Sequence, residues 1–286
     1  MWCFFLPIFA STVAAYKTKS ISVPASSREA LAAARAQIRT NTTNKSINPP
    51  IPAILGGIPA GNNEFPWFGI TEIFLTDLFN INILSYCGSS LIHSDIAVSA
   101  ASCIVGDLKL PYFSVTFYLG ANEYDGSDGI ELEAETYIYP DNYEFPFNDM
   151  VFYKLKTAAT NVVPVSWNTN ALIPLAGDIG TAIGYGVTSD SSEISAKVDL
   201  PAITNSECSK FYNNIPDSIT CVYAGGQKKD IGGVDLGGPI LTKGGVLYGV
   251  ASFSGATNGA TPSGFTRTSY LSDFISAVSN YCYGLV

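Results

Sequence analysis

Histidine occurs once in 286 residues, at position 93. A chain with a single imidazole has a single conventional general base to offer near neutral pH. Charge is sparse as well, with Asp, Glu, Lys and Arg making up 14% of the chain. What charge there is divides unevenly. Residues 1–53 carry six Lys/Arg and one Glu, a net of +5, whereas residues 54–286 carry nine Lys/Arg and 23 Asp/Glu, a net of −14. A domain this acidic does not suit nucleic acid, heparin or anionic lipid as a partner. No run of about 18 apolar residues is present, so no segment is long enough to span a bilayer as a helix. Internal repeats are absent at the level of short motifs, and no long helical pattern is seen before Tyr270.

What is present reads as a globular, turn-rich chain. It is 47% hydrophobic, with 26 glycines and 16 prolines. Its length allows one large β-rich domain or two modest ones. From Ile54 onward, short alternating runs are separated by Gly, Asn, Asp and Pro. Val151, Tyr153 and Leu155 alternate with Phe152 and Lys154, and Val246–Phe253 is another strand candidate. Such runs at short spacing argue for an all-β sandwich or barrel. One helix is expected over Tyr270–Tyr281, where Leu271, Phe274, Ile275 and Val278 fall on one face.

The N-terminal 53 residues read differently. Residues 1–15 have the apolar run and small residues (Ala14, Ala15) of a secretory signal. Residues 16–53 read as a pro-segment and linker. Ser26 and Glu29 form a capping-box pattern ahead of the Ala-rich Leu31–Ile38, which predicts a short helix. Asn41 and Asn44 head two glycosylation sequons, and Pro49, Pro50 and Pro52 stiffen the approach to Ile54. Beyond Cys3, five cysteines remain: Cys87, Cys103, Cys208, Cys221 and Cys282. They fit an oxidising compartment, and a secreted, extracellular protein is expected; the spacing alone does not fix their pairing.

Six stretches, in order, carry a resemblance. They are Ile54-Leu55-Gly56-Gly57; Cys87-Gly88-Ser89-Ser90-Leu91-Ile92 through Ala100-Ala101-Ser102-Cys103; Asn148-Asp149-Met150-Val151; Gly184-Tyr185-Gly186-Val187-Thr188; Val234-Asp235-Leu236-Gly237-Gly238-Pro239; and Pro262-Ser263-Gly264-Phe265-Thr266-Arg267. Together these stretches resemble the chymotrypsin/trypsin family of serine proteases. The resemblance implies an all-β fold of two six-stranded antiparallel β-barrels over residues 54–286, with a C-terminal helix and the active cleft between the barrels. It also implies Cys87–Cys103 and Cys208–Cys221 disulfides, leaving Cys282 as a free thiol or as the link of a disulfide dimer.

The family's triad is a worked template of enzyme chemistry, and here it is degenerate by residue-by-residue matching. The position of the base holds Ser102, whose hydroxyl is no base near neutral pH. The orienting aspartate is Asp149. The position of the nucleophile holds Leu236, which has no lone pair to attack a carbonyl. One oxyanion donor belongs to Val234, where the family has glycine. The resemblance places Asp230, Ser252, Ser254 and Ser263 in the substrate pocket, with two hydroxymethyl groups narrowing it. It also pairs the N-terminus of Ile54 with Asp235, yet Ala53 precedes Ile54 and the nearest upstream basic residue is Lys45. His93, followed by Ser94 and Asp95, is either a relocated base or a turn histidine. A Ser-Lys dyad using Lys109 or Lys154 is the remaining route to a base. Asp149 either persists as an acceptor for Ser102 or has drifted. No cofactor or metal is implied. The reading is a secreted protease homologue without the catalytic His and Ser, acting by binding a protein or peptide at the cleft. The rival readings are an endopeptidase with an unrecognised nucleophile and a relic without a role.

Overall fold

The computed structural model describes residues 18–22, 54–76, 82–105, 112–187, 193–255 and 259–283. The signal-like residues 1–15, the helix expected over Leu31–Ile38, the sequons at Asn41 and Asn44, and Lys109 lie outside the described residues.

Two closed antiparallel barrels follow one another along the chain. The first uses β3 (Phe68–Thr76), β4 (Asn82–His93), β5 (Ile96–Ser99), β6 (Tyr112–Leu119), β7 (Ile130–Pro140) and β8 (Val151–Leu155). They run in the order β7-β6-β3-β4-β5-β8, and β7 closes on β8. The second uses β9 (Ile179–Val187), β10 (Glu193–Ile203), β11 (Ile219–Val222), β12 (Pro239–Leu241), β13 (Leu247–Phe253) and β14 (Ser263–Arg267), ordered β11-β14-β13-β12-β9-β10 and closed by β10 on β11. Each barrel takes one further short strand on an outer edge. β1 (Thr18–Ser22) joins β7, and β2 (Ile58–Pro59) joins β10.

The alternation read in β8 separates two cores. Val151, Tyr153 and Leu155 enter the interior of the first barrel beside Leu91, Phe117 and Tyr137. Phe152 points the other way, into a core shared by both barrels. There Phe68 of β3 stacks on Tyr185 of β9, with ring centroids 5.2 Å apart. The second barrel's interior is built on Val198, Leu200, Ile240, Tyr248 and Phe265, and Ile54 is buried in it. Each such side chain contributes roughly 1.5–3 kcal/mol of burial.

Among the described residues three short helices complete the fold: α1 (Ser102–Val105), α2 (Asn205–Cys208) and α3 (Ser272–Tyr283). In α3 the face formed by Leu271, Phe274, Ile275 and Val278 is buried, and Phe274 meets Phe152 at 5.4 Å. The helix starts two residues later than the apolar spacing suggests. The Tyr270 N–H turns back to the Arg267 carbonyl at 3.2 Å, which keeps Tyr270 in the preceding turn. Disulfides join Cys87 to Cys103 and Cys208 to Cys221. The Cys282 side chain lies outside the described residues. No helix among the described residues is long and apolar enough to cross a membrane.

Candidate functional site

The site begins with a buried carboxylate. Asp149 sits just before β8 and is fully buried. Its Oδ1 accepts the Ser102 backbone N–H at 2.7 Å, and its Oδ2 accepts the Ser252 hydroxyl at 2.6 Å. Its own carbonyl accepts the Thr266 hydroxyl at 2.8 Å. Burial pushes its pKa above the ordinary carboxylate range, and the Ser252 and Ser102 donors oppose that shift. The bond from Ser102 with full hydrogen-bond geometry is that of its backbone N–H. The Ser102 Oγ is itself shielded from solvent and has no hydrogen-bond partner among the described residues. Sequence reasoning placed Ser252 in the pocket and missed its bond to Asp149, which lies 103 residues away in the chain.

The loop carrying Leu236 is tied to both barrels. Its carbonyl accepts the Gly88 N–H at 2.7 Å, and the Gly88 carbonyl in turn accepts the Ser99 hydroxyl at 2.7 Å. The Gly237 N–H donates to Ala251 at 2.8 Å, and the Ala251 N–H donates to Gly238 at 2.8 Å. Ala251 precedes Ser252, whose hydroxyl holds Asp149. A continuous set of bonds thus gathers Leu236, Ser252, Asp149 and Ser102 at the junction of the barrels. Gly237 is required there on two counts. Its φ is +80°, and an added Cβ would lie 2.1 Å from Ser99 Oγ and 2.5 Å from the Gly88 carbonyl.

Just upstream, Gly233–Asp235 forms one turn of 3₁₀ helix. Val234 lies in that turn, is half-buried and has no positive φ. Asp235 caps the turn: its Oδ2 accepts the Gly232 N–H at 2.8 Å while Oδ1 accepts the Tyr185 N–H at 3.0 Å. Gly184 lets this carboxylate approach, since a Cβ there would stand 2.0 Å from Asp235 Oδ1. Among the described residues no cation pairs with Asp235, and burial raises its pKa to about 7. Ile54 is buried among the apolar side chains of the second barrel, and Leu55 exchanges backbone bonds with Asp230, at 2.8 and 3.2 Å.

Asp230 is buried as well. Its Oδ1 accepts the Ser263 hydroxyl and the Ile231 N–H, at 2.5 and 2.9 Å. Its Oδ2 is buried without a partner among the described residues. Burial lifts its pKa to about 6, and the Ser263 bond opposes the rise. Ser263 also accepts the Gly255 N–H at 2.7 Å, so its hydroxyl occupies the pocket wall. Ser254 follows β13 and is half-buried.

His93 is the last residue of β4, just before the turn to β5. Ser94 Oγ and Asp95 Oδ1 both lie 3.2 Å from its Nδ1. A relay needs the acid and the nucleophile on opposite ring nitrogens, and this cluster puts them on one. Asp95 also pairs with Lys154, which occupies the lysine of the proposed dyad. Near Asp149, burial and the carboxylate's charge raise the Tyr143 phenol, so it is no base either. Among the described residues no three His, Cys, Asp or Glu stand together as a metal site requires.

Comparison with known proteins agrees with this architecture. The family model described as Trypsin matches residues 54–275. The chain belongs to the trypsin family. Among curated relatives in the trypsin family, Brachyurin of Leptuca pugilator is 28% identical over 235 residues, covering 78% of this chain and 96% of its own. Trypsin-1 of Astacus astacus is 27% identical, over 78% of this chain and 99% of its own. Serine protease SSP1 of Scolopendra subspinipes is 32% identical, over 70% of this chain and 72% of its own. The solved structure of HL collagenase superposes with a TM-score of 0.65 at 24% identity, over 79% of this chain and 99% of that one, and shares the trypsin fold.

Proposed function

We propose that this trypsin-family chain is a secreted, non-catalytic binding protein that holds an extended peptide or protein segment in the cleft between its barrels. Residues 54–286 form the working domain, and residues 16–53 an upstream segment. One observation carries the reading: the hydrogen-bonded frame around Asp149 is complete, yet the groups it frames are a serine hydroxyl at 102 and a hydrocarbon at 236. Acyl transfer to the protein needs a nucleophile and a base within reach of each other, and neither residue supplies one. The relatives carry protease names, which favours the alternative of an endopeptidase with an unrecognised nucleophile. The Ser252 hydroxyl that reaches Asp149 is fully buried and already donates to the carboxylate, which speaks against it in that role.

A cleft without chemistry still binds. The strand ending at Ser252-Phe253-Ser254 offers backbone groups to an extended segment in the manner of β-augmentation. Leu236 and Val234 give the floor an apolar surface. The negative domain favours basic partners, with association weakening as salt rises.

Two experiments test the proposal. Purified protein is expected to leave peptide esters and amides intact and to take no label from a fluorophosphonate probe. Stoichiometric labelling, or turnover abolished by Ser102→Ala, sinks the non-catalytic reading. The binding half is tested on a partner captured with the wild-type chain, by titrating Leu236→Arg against Lys243→Ala. An unpaired charge in a desolvated contact is expected to weaken binding at least tenfold, while the exposed Lys243 changes it little. Unchanged affinity with Leu236→Arg removes the cleft as the binding surface.

A further inference from the structure

The long strand β7 has an edge that the barrel does not use. On one side it pairs with β8 over Ala134–Ile138. On the other side β6 accompanies it only over Ile130–Glu133. Beyond Glu133 that second edge would present unpaired N–H and C=O groups, a ready template for another strand. In this chain β1 occupies it. Thr18 pairs with Pro140, Lys19 with Tyr139, Ser20 with Ile138, Ile21 with Tyr137 and Ser22 with Thr136, all antiparallel. The six strands that close the barrel do not include β1.

The upstream segment is therefore held at two places. β1 docks on the first barrel, and Leu55 docks on the second through Asp230. Residues 23–53 join the two anchors and contain Arg28, Arg35, Arg39 and Lys45, each a bond that a trypsin-like protease cleaves. Charge favours the docked state. Residues 1–53 carry a net of +5, while Glu131 and Glu135 lie in β7 and Asp141 follows it; Glu133 of the same strand is paired with Lys156.

We infer that the Thr136–Pro140 edge is a second peptide-docking site, masked in the intact chain by its own strand Thr18–Ser22 and opened by scission within residues 23–53. Five register pairs are few for an independent strand. A covalent tether holds such a strand at an effective concentration on the order of millimolar, about a thousandfold above a micromolar solution. Cutting the tether removes that advantage, so the strand leaves and the edge becomes available to the Thr18–Ser22 segment of a second copy, whose register on it is the one seen here. This site is separate from the inter-barrel cleft and does not depend on whether the cleft is catalytic.

The test inserts a sequence-specific protease site within residues 41–46 of the full chain. The probe is a fluorescent peptide of residues 16–24, with a scrambled peptide as control. Intact protein is expected to leave the probe free. Cut protein is expected to release its upstream fragment on gel filtration and to bind the probe at least tenfold more tightly than intact protein. Ile21→Pro fixes φ near −65°, away from the antiparallel-strand value, and so disfavours the β1 ladder, and because β1 is outside the closed barrel the fold survives. The intact Ile21→Pro chain is therefore expected to bind the probe without being cut. Equal binding by intact and cut wild-type chains overturns the masking. Retention of the fragment after scission overturns the release. Failure of both the cut chain and the Ile21→Pro chain to bind overturns the site itself.

Discussion

Replacing Ser102 by His and Leu236 by Ser together is expected to produce hydrolysis of an activated ester and covalent capture by a fluorophosphonate, each at least a hundredfold above the wild-type background. Each single change is expected to stay at background. The reasoning is the non-additivity of groups that act as a unit: a serine without a base remains a weak nucleophile, and a histidine without a nucleophile has nothing to activate. The carboxylate that would orient the new imidazole is already in place. Asp149 is buried and held by Ser252 and by the backbone of residue 102. Val234→Gly in the same background is expected to add to the rate, because an oxyanion donor at that position is worth about a hundredfold or more in rate. A correctly folded double variant with no gain over the single variants would mean that the frame around Asp149 is not a catalytic frame.

The second large effect concerns pH. Asp235 is buried beside two N–H donors and no described cation, and its pKa rises from the ordinary carboxylate value of 3.8 to about 7. Between those values the folded chain keeps a proton that the unfolded chain has released. Stability is thus fully present at the acid end of this window and is lost as pH rises through the folded-state value, by roughly 4 kcal/mol from this group alone. Asp230, raised from 3.8 to about 6, acts in the same direction. Glu64 is lowered by its bonds to Lys197 and Gly61 and acts the other way, but it is largely solvated. Urea denaturation at pH 5 and pH 8 measures the balance. The midpoint is expected to be lower at pH 8, by about 1 M or more for an m value in the usual range. Asp235→Asn is expected to remove at least half of that difference, whatever it does to absolute stability. A midpoint that is flat or rises between pH 5 and pH 8 contradicts the account.

The fold was legible because its constraints are local in sequence. Gly237 and Gly238 mark backbone that must pass within contact of β4 and β9, and the cysteines beside Gly88 and Ser102 tie the same junction. The alternation of Val151, Tyr153 and Leu155 showed a barrel face directly. Other features have no local signature. The Ser252 hydroxyl finds Asp149 across 103 residues, a bond that exists only once the barrels have packed. The segment Thr18–Ser22 holds one large apolar residue, Ile21, and no alternation, so nothing in it announces a strand. Its pairing is set by the free edge of β7, where β6 has turned away. Asp149 does accept a bond from Ser102, through its main-chain N–H, and Ser252 is a second donor that the sequence did not offer.

That arrangement bears on how such a molecule came to exist. The three positions of a triad are not equally free to be lost. Residues 102 and 236 tie into the scaffold chiefly through main-chain groups: one contributes its amide and the other its carbonyl. Asp149 is different in kind, since both carboxylate oxygens and its own carbonyl receive bonds, two of them from the opposite barrel. Chemistry at this site can therefore vanish through substitutions that leave assembly intact, whereas loss of the aspartate would loosen the joint between the barrels. A lineage that gives up catalysis on this scaffold would be expected to shed its base and nucleophile while its acid stays behind, kept as joinery.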